Sequence, residues 1–460
     1  MKALLDSSNC LTAGIARLRE EIGLIAPFPQ DALDEAATAA ARAPDAHRDR
    51  TGERFITLDP ASSTDLDQAF AIEQSGADLL LHYAIADLGW FVRERGAVDR
   101  AAWKRGMTQY LPGDRVPLYP PVLGEKAASL LPDGPRPAVV FTIRIDPAGE
   151  VAIDGIERAV IRSRAKLGYE TVRKDDLPEQ FGELSRRIHA AERARGAARV
   201  DPPQQELGRT EYGRFWLALN PQSEAELDNA ALSLACNLAV AKLFVAYRTG
   251  LFRVMQEPQG RAVKRLRASA RARGIAWGRN ESLRVVERRL DAGRPEEAAF
   301  MLEIRRASRG ASYAPFAEGS PPWHSAMEAA YVHATAPLRR LADRYVVEAA
   351  LALAQSGRLP DGMEQAFRGL PRVMARAATT ANRVENAALD LAEAVLLQGR
   401  EGETFRAVVT EIGQRGARLQ LLDIPVVTRI ETDGLREHEQ IEVRLIAADP
   451  AVREARFELA

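Results

Sequence analysis

Three aspartates crowd one short stretch of this 460-residue chain: Asp59, Asp65 and Asp67, in the segment ITLDPASSTDLDQA from Ile56 to Ala69. Phe55–Leu58 is a short apolar run that suits a strand, and Asp59 ends it. Pro60, Ser62, Ser63 and Thr64 then supply turn chemistry, so the chain can fold back and bring the three carboxylates together. Carboxylates that close repel one another unless a cation lies between them, and hard oxygen ligands of this kind suit Mg²⁺ or Mn²⁺. Two such ions about 3.5–4 Å apart can activate a water and stabilise the leaving oxygen of a phosphodiester. On spacing alone, capping of turns in a polar loop accounts for these residues at least as well. The loop lacks the central Gly and closing Glu of an EF-hand.

The elements around the segment have to position it. Residues 1–52 read as a short helical segment: Ile15, Leu18, Ile22 and Leu24 share a face, and Asp31 suits the cap of a helix through Leu33 and Ala40. Strands are expected at Phe55–Leu58, Ala69–Ile72 and Leu79–Ala86, with a hairpin of Ala138–Asp146 and Val151–Ile161. Tyr110–Arg136, rich in Pro and Gly, reads as a long ordered loop. Helices are expected at 184–197, 224–247, 281–309, 339–355 and 363–398. Strands followed by a helical half suggest an α+β fold, with one large mixed α/β domain over residues 53–398. Five short strands after residue 399 fit a small OB-type barrel over 399–460.

Composition narrows the class only a little. Lys plus Arg (63) nearly balance Asp plus Glu (64), so any nucleic-acid surface must be local rather than global. Cys10 and Cys236 have no metal-ligand spacing and read as reduced packing residues. With no run of eighteen apolar residues and no signal-like start, the sequence is expected to be a cytoplasmic protein that engages no membrane, and a monomer. Between Arg261 and Leu290 ten basic residues face two acidic ones. That density would suit phosphate contacts, although a solvated helix face explains it at least as well.

The aspartate segment resembles the signature of the ribonuclease II / ribonuclease R family, an apolar strand followed by D-x-x-x-x-x-D-x-D-D-A. The resemblance continues in order along the chain. His82–Asp87 (HYAIAD), Tyr110-Leu111-Pro112-Gly113, Ser129-Leu130 with Arg136-Pro137, and Ser163–Tyr169 (SRAKLGY) are each similar to a successive family block. So are Ala235-Cys236-Asn237 and Ala334–Asp343 (ATAPLRRLAD). The ordered series is far more specific than any one motif.

What the resemblance implies is a metal-dependent exoribonuclease that shortens single-stranded RNA from its 3′ end and releases nucleoside 5′-monophosphates. Asp59, Asp65 and Asp67 match metal-holding aspartates, with Asp67 the most sensitive catalytic carboxylate. Gln68 stands where the family has a fourth aspartate. A neutral amide oxygen can still ligate Mg²⁺ or Mn²⁺, with less charge. Arg339 matches the arginine at the scissile region, where Pro337 suits the first turn of a helix. Tyr169 matches the aromatic that stacks on the terminal bases, and Glu385 a glutamate near the terminal ribose. Two departures favour a different outcome, a non-catalytic RNA-binding protein derived from this family: Gln68, and Ala231 in place of an acidic residue six positions before Asn237. The family's N-terminal cold-shock pair does not fit within 52 residues. The segment there is expected to be a helix-turn-helix-like module or, slightly preferred, packing for the catalytic domain.

Overall fold

The aspartate segment is built into the edge region of a seven-stranded sheet in the computed structural model, which describes all residues except 1, 5–8, 25–26, 198–203, 210–213, 221–222, 292–293, 308–309, 320–321, 414–415, 432–433 and 437–438. Six strands carry most of that sheet: β1 (Phe55–Asp59), β2 (Gln68–Ser75), β3 (Asp78–Ala86), β4 (Arg136–Ile145), β5 (Val151–Ile161) and β6 (Ser163–Gly168). Their spatial order is β6-β1-β2-β3-β4-β5, and the two-residue strand Arg48–Asp49 closes the far side. β6 runs parallel to β1, and the hairpins from β2 to β5 are antiparallel. β3 and β4 lie in the middle and are apolar along most of their length, as strands covered on both faces must be.

Helix α1 (Cys10–Glu21) buries Leu11 and Ile15, while α2 (Gln30–Ala40) sends Ala32, Ala36 and Ala39 into the main core. His47 Nε2 lies 3.0 Å from Asp87 Oδ2, with both side chains buried, which fastens this N-terminal segment to the end of β3. The segment therefore packs into the body of the protein, and its two helices seat on different partners instead of forming a helix-turn-helix pair.

Helix α3 (Phe181–Arg195) leads to α4 (Glu224–Ala246), an apolar helix packed against β3, β4 and β5. α4 is long and apolar enough to cross a membrane by composition, yet most of its length is buried inside the fold. A Ser223/Glu226 capping box satisfies its first N–H groups. The basic helix α5 (Arg261–Ala272) and the two helices after it enclose a small core of their own around Leu266, Val286 and Phe300. Helix α6 (Leu341–Ser356) follows the arginine motif. The 35-residue α7 (Met363–Leu397) then runs from the main body into the C-terminal barrel, where Leu397 is buried.

That barrel has five strands: β7 (Thr404–Gly413), β8 (Gly416–Leu421), β9 (Val427–Ile430), β10 (Gln440–Asp449) and β11 (Glu454–Leu459), in the order β9-β8-β7-β10-β11. Thr428 Oγ1 reaches Ala455 O at 3.5 Å, so the two edges nearly meet and the sheet almost closes.

Three local expectations change. Asp31 is inside α2, not at its cap: Pro29 precedes the helix and Asp31 Oδ1 accepts from the adjacent Ala32 N–H. The stretch 281–309 splits into Leu283–Glu287 and Pro295–Ala307, because proline opens a helix readily and continues one badly. Tyr110–Arg136 contains a hairpin, Gln109–Leu111 with Asp114–Val116, turning at Pro112-Gly113 where Gly113 has φ +76°.

Candidate active site

Two sets of hydrogen bonds hold the loop between Asp59 and Gln68 in place. Ser129 Oγ accepts from Leu66 N (2.9 Å) and donates to Thr64 O (2.8 Å), so the Ser129-Leu130 block acts as a staple across the loop. Lys166 Nζ donates to Ala61 O at 2.8 Å from the other side. The parallel register sets Gly168 opposite Asp59, and Tyr169 N donates to Asp59 O at 3.3 Å, which places Tyr169 beside the first aspartate.

Asp67 is buried. Its Oδ1 accepts from Leu338 N at 2.7 Å, and its Oδ2 lies 3.4 Å from Arg339 Nε. Burial pushes its carboxyl up to about 8, against the opposing pull of Arg339 and the Leu338 N–H. Asp59 is pushed up to about 6 by burial, with the Asp65 charge adding to the shift and Arg339 and Ser63 opposing it. Asp65 is turned onto Arg115, which also reaches Glu125 at 3.0 Å, and Tyr110 donates its hydroxyl to Asp65 Oδ2 at 3.4 Å.

Arg339 comes from a turn, not from a helix: α6 begins only at Leu341. Asp343, fully buried, fixes that turn by accepting from Ala336 N (2.9 Å) and from the Arg340 guanidinium. Thr108 N donates to Arg339 O at 3.0 Å from the opposite side. The two neighbouring arginines thus do different things. Arg340 is a structural partner of Asp343, while the Arg339 side chain keeps 46% of its surface exposed beside Asp67.

Gln68 is placed differently from the metal-ligand expectation. Its Oε1 accepts from the buried Tyr83 hydroxyl and from Ser233 Oγ (3.1 Å). Gln68 opens β2 whereas Asp67 still belongs to the loop before it, and their side chains reach different partners. The two hydroxyls also lie 2.8 Å from each other, so Gln68→Leu should leave one of them short of an acceptor and cost about 1–3 kcal/mol of stability. A lower melting temperature with an unchanged Mg²⁺ requirement for cleavage would match this placement.

Helix α4 supplies a row of polar residues that the sequence reading largely passed over. Asn229 Nδ2 donates to Leu58 O (3.1 Å) and to the Tyr169 hydroxyl (2.7 Å), Ser233 meets Gln68, and Asn237 Oδ1 accepts from Ala334 N at 2.8 Å. Their spacing of four residues puts them on one helix face, joining β1, β2 and the arginine turn to a single scaffold. The signal is three polar residues at i, i+4 and i+8 in the otherwise apolar stretch 229–241 of the helix. Ala231 is fully buried and lies roughly half a turn round from this row, so it is not placed to meet a nucleotide. Tyr110 and Arg115 also join the site, although nothing in their local sequence marks them for it.

Glu385 is exposed on α7, and among the described residues no hydrogen bond or ion pair joins it to the aspartate loop. Of the basic run, Arg267, Arg273, Arg284, Arg288 and Arg289 are engaged within the protein, whereas Arg261, Lys264, Arg265 and Arg271 are exposed on α5.

The donor chemistry fits a hard divalent cation: three carboxylates that repel one another, two of them holding protons well above the usual range. Among the described residues no three acidic side chains yet stand in an ion-holding group, because Asp65 is turned onto Arg115 and Asp67 onto Leu338.

The sequence pattern of the RNB domain matches residues 47–354, and that of the RNase II-type exonuclease C-terminal S1 domain matches residues 403–460. The chain belongs to the RNB family. It is similar to Ribonuclease R of Aquifex aeolicus (27% identical over 421 residues, 86% of this chain and 59% of that protein). Ribonuclease R of Thermotoga maritima is 25% identical over 429 residues, with the same coverage of each protein. The chain thus spans about three-fifths of the length of these curated relatives. In fold, this RNB chain is similar to Mycoplasma genitalium RNase R in complex with ribose-methylated single-stranded RNA. The TM-score is 0.86 at 18% identity, covering 98% of this chain and 78% of that one. It is also similar to yeast Ssd1, a pseudonuclease (TM-score 0.67 at 14% identity, covering 98% and 58%). An RNB-type fold alone therefore does not decide catalysis, and the side chains have to.

Proposed function

We propose that this chain is a metal-dependent 3′→5′ exoribonuclease that releases nucleoside 5′-monophosphates from single-stranded RNA, working as a monomer in the cytoplasm. The observation that carries the reading is the joining of Asp67 to Arg339 beside Asp59 and Asp65, an anionic cluster next to a half-exposed guanidinium. Asp59, Asp65 and Asp67 would hold the ion, Mg²⁺ or Mn²⁺, once Asp65 leaves Arg115. When bound, divalent cations at a phosphodiester favour ionisation of a water and offset charge on the leaving oxygen.

The chain's own residues do the rest. Arg339 offers a planar fork to a phosphate and is pre-aimed by Asp67 and Thr108, so little reorganisation is needed as charge develops. Tyr169, pinned through its hydroxyl by Asn229, presents a ring next to Asp59 on which any base can stack, which suits digestion without sequence preference. Tyr110, half-exposed, can cover the nucleotide from the Asp65 side. Glu385 would take part only if the RNA path bends toward α7. The barrel and the exposed cations of α5 are candidates for backbone contacts upstream.

Protons compete with the ion. Carboxyls that ionise near about 6 (Asp59) and about 8 (Asp67) must lose their protons before they can ligate, so metal affinity should rise with pH across that interval. Mn²⁺ titrations at pH 6, 7 and 8 should show progressively tighter binding. A flat profile would remove these two carboxylates from the ligand set.

A second reading, a non-catalytic RNA-binding protein, is favoured by Arg115 on Asp65 and by the engaged oxygen of Gln68. Matched ribo- and deoxyribo-oligonucleotides, labelled at the 5′ end and incubated with Mg²⁺ or EDTA, separate the possibilities. Stepwise shortening of the labelled RNA from its 3′ end, with Mg²⁺ and not with EDTA, supports the enzyme. Binding without shortening supports the second reading.

A further inference from the structure

Arg115 stands between two carboxylates. Its Nη1 donates to Asp65 Oδ1, while Nη2 donates to Thr64 Oγ1 and lies 3.0 Å from Glu125 Oε1. Asp65 belongs to the aspartate loop, and Glu125 to the short helical turn Leu123–Ala127 that precedes the Ser129 staple. The three side chains are between 13% and 28% exposed, so water screens their charges less than it would on an open surface. Among the described residues no other ion pair reaches either carboxylate.

The backbone that carries Arg115 is held by other contacts. Arg19 Nη1 donates to Asp114 Oδ2 at 2.6 Å, Gln109 Nε2 to Ala377 O at 3.3 Å, and Thr108 N to Arg339 O at 3.0 Å. A move of the guanidinium therefore needs only side-chain rotation, and its planar fork already meets both acceptors. A divalent cation and a guanidinium carry like charge, so they compete for the Asp65 oxygens. Glu125 keeps the guanidinium paired once it leaves Asp65, so no half-buried charge is stranded.

We propose that Arg115 is a positioning residue, an internal counter-cation for Asp65 that passes to Glu125 when a divalent cation takes that carboxylate. The inference rests on the reading of Asp65 as a metal ligand. It adds a pair of residues, Arg115 and Glu125, that sets how tightly the ion is held by acting through Asp65. The two seats of the guanidinium make removal of Arg115 and removal of Glu125 act in opposite directions.

Calorimetric titration of the full chain with Mn²⁺ alone, in the absence of RNA, tests this. Arg115→Met keeps an unbranched stem and removes the competing charge, so Mn²⁺ should bind roughly 5- to 50-fold more tightly than to the wild type. Arg115→Gln, neutral yet able to donate to Thr64, should shift the affinity the same way, and melting curves check that both variants fold. A residue that merely braced the hairpin would weaken binding when removed. Glu125→Gln takes away the second seat and should weaken binding roughly 3- to 10-fold. In the double variant Arg115→Met with Glu125→Gln that weakening should vanish, because no guanidinium remains to be reseated. Equal weakening by Glu125→Gln in both backgrounds would make it a long-range effect of charge and overturn the proposal, as would unchanged or weaker binding in the Arg115 variants. Mn²⁺ binding that Asp67→Asn abolishes and the Arg115 variants leave alone would remove only this inference. No binding to the wild type or to Arg115→Met would remove the metal reading with it.

Discussion

Replacing Asp67 with Asn is expected to lower RNA hydrolysis by at least roughly 10³-fold, about 4 kcal/mol of barrier, while single-stranded RNA stays bound. The residue is buried, contacts Arg339 and lies at the junction of the loop and the arginine turn, so its charge is central to the cluster. The same substitution should stabilise the metal-free protein. An aspartyl carboxyl that ionises near 3.8 when unfolded is pushed up to about 8 by burial in the fold. Below about pH 4 both states are protonated and the group costs nothing. Between about 4 and 8 the unfolded chain gives up a proton that the folded chain keeps, so stability falls as pH rises, and above 8 the full penalty remains. Asparagine removes that penalty while its amide oxygen still accepts from Leu338 N. Melting in EDTA should therefore favour Asp67→Asn at pH 8, by an amount on the order of 1 kcal/mol or more, and show little difference at pH 4. A variant that is both inactive and less stable at pH 8 would point to simple loss of structure.

Arg339→Ala carries the second large effect, a fall in kcat of roughly 10²–10³ with a well-folded protein. The guanidinium is half exposed and reaches Asp67 from a turn that Asp343, Arg340 and Thr108 already hold, so its removal should leave the melting temperature close to wild type. Arg339→Lys should rescue little, because an ammonium is a point charge without the planar fork. Arg340→Ala makes the contrast. It strips the partner from fully buried Asp343, and breaking a buried pair from one side costs about 3–5 kcal/mol, so the readout there is stability first. If both variants lost stability alike and kcat fell alike, the division of labour between the two arginines would be wrong.

Much of the fold was legible because the signals were local. Alternation and apolar runs marked β1 to β5, and the five barrel strands stand where short strands between turn residues were expected. The family blocks in the sequence also acquire distinct physical tasks: Ser129 staples the aspartate loop, Gly168 sets the register that delivers Tyr169, and Asp343 shapes the arginine turn. What was not legible depends on which way a side chain turns. Gln68 is adjacent to Asp67, but its oxygen is taken by Tyr83 and Ser233. Arg115 and Tyr110 meet Asp65 only because the Pro112-Gly113 hairpin folds back over the loop, a contact 45–50 residues away in sequence. Asn229 and Ser233 were hidden by the apolar character of α4, where the eye follows the core face and not the polar row.

The central claim is that the aspartate loop cuts RNA, and one experiment addresses it directly: a time course on 5′-labelled single-stranded RNA with Mg²⁺, with the wild type and Asp67→Asn side by side and a gel shift on each. A ladder shortening from the 3′ end in the wild type alone, with both proteins retaining the RNA, is the expected result. If both cut equally, the chemistry lies elsewhere in the molecule. If neither cuts while both bind, the protein is an RNA-binding relative of the RNB nucleases and the catalytic account is wrong.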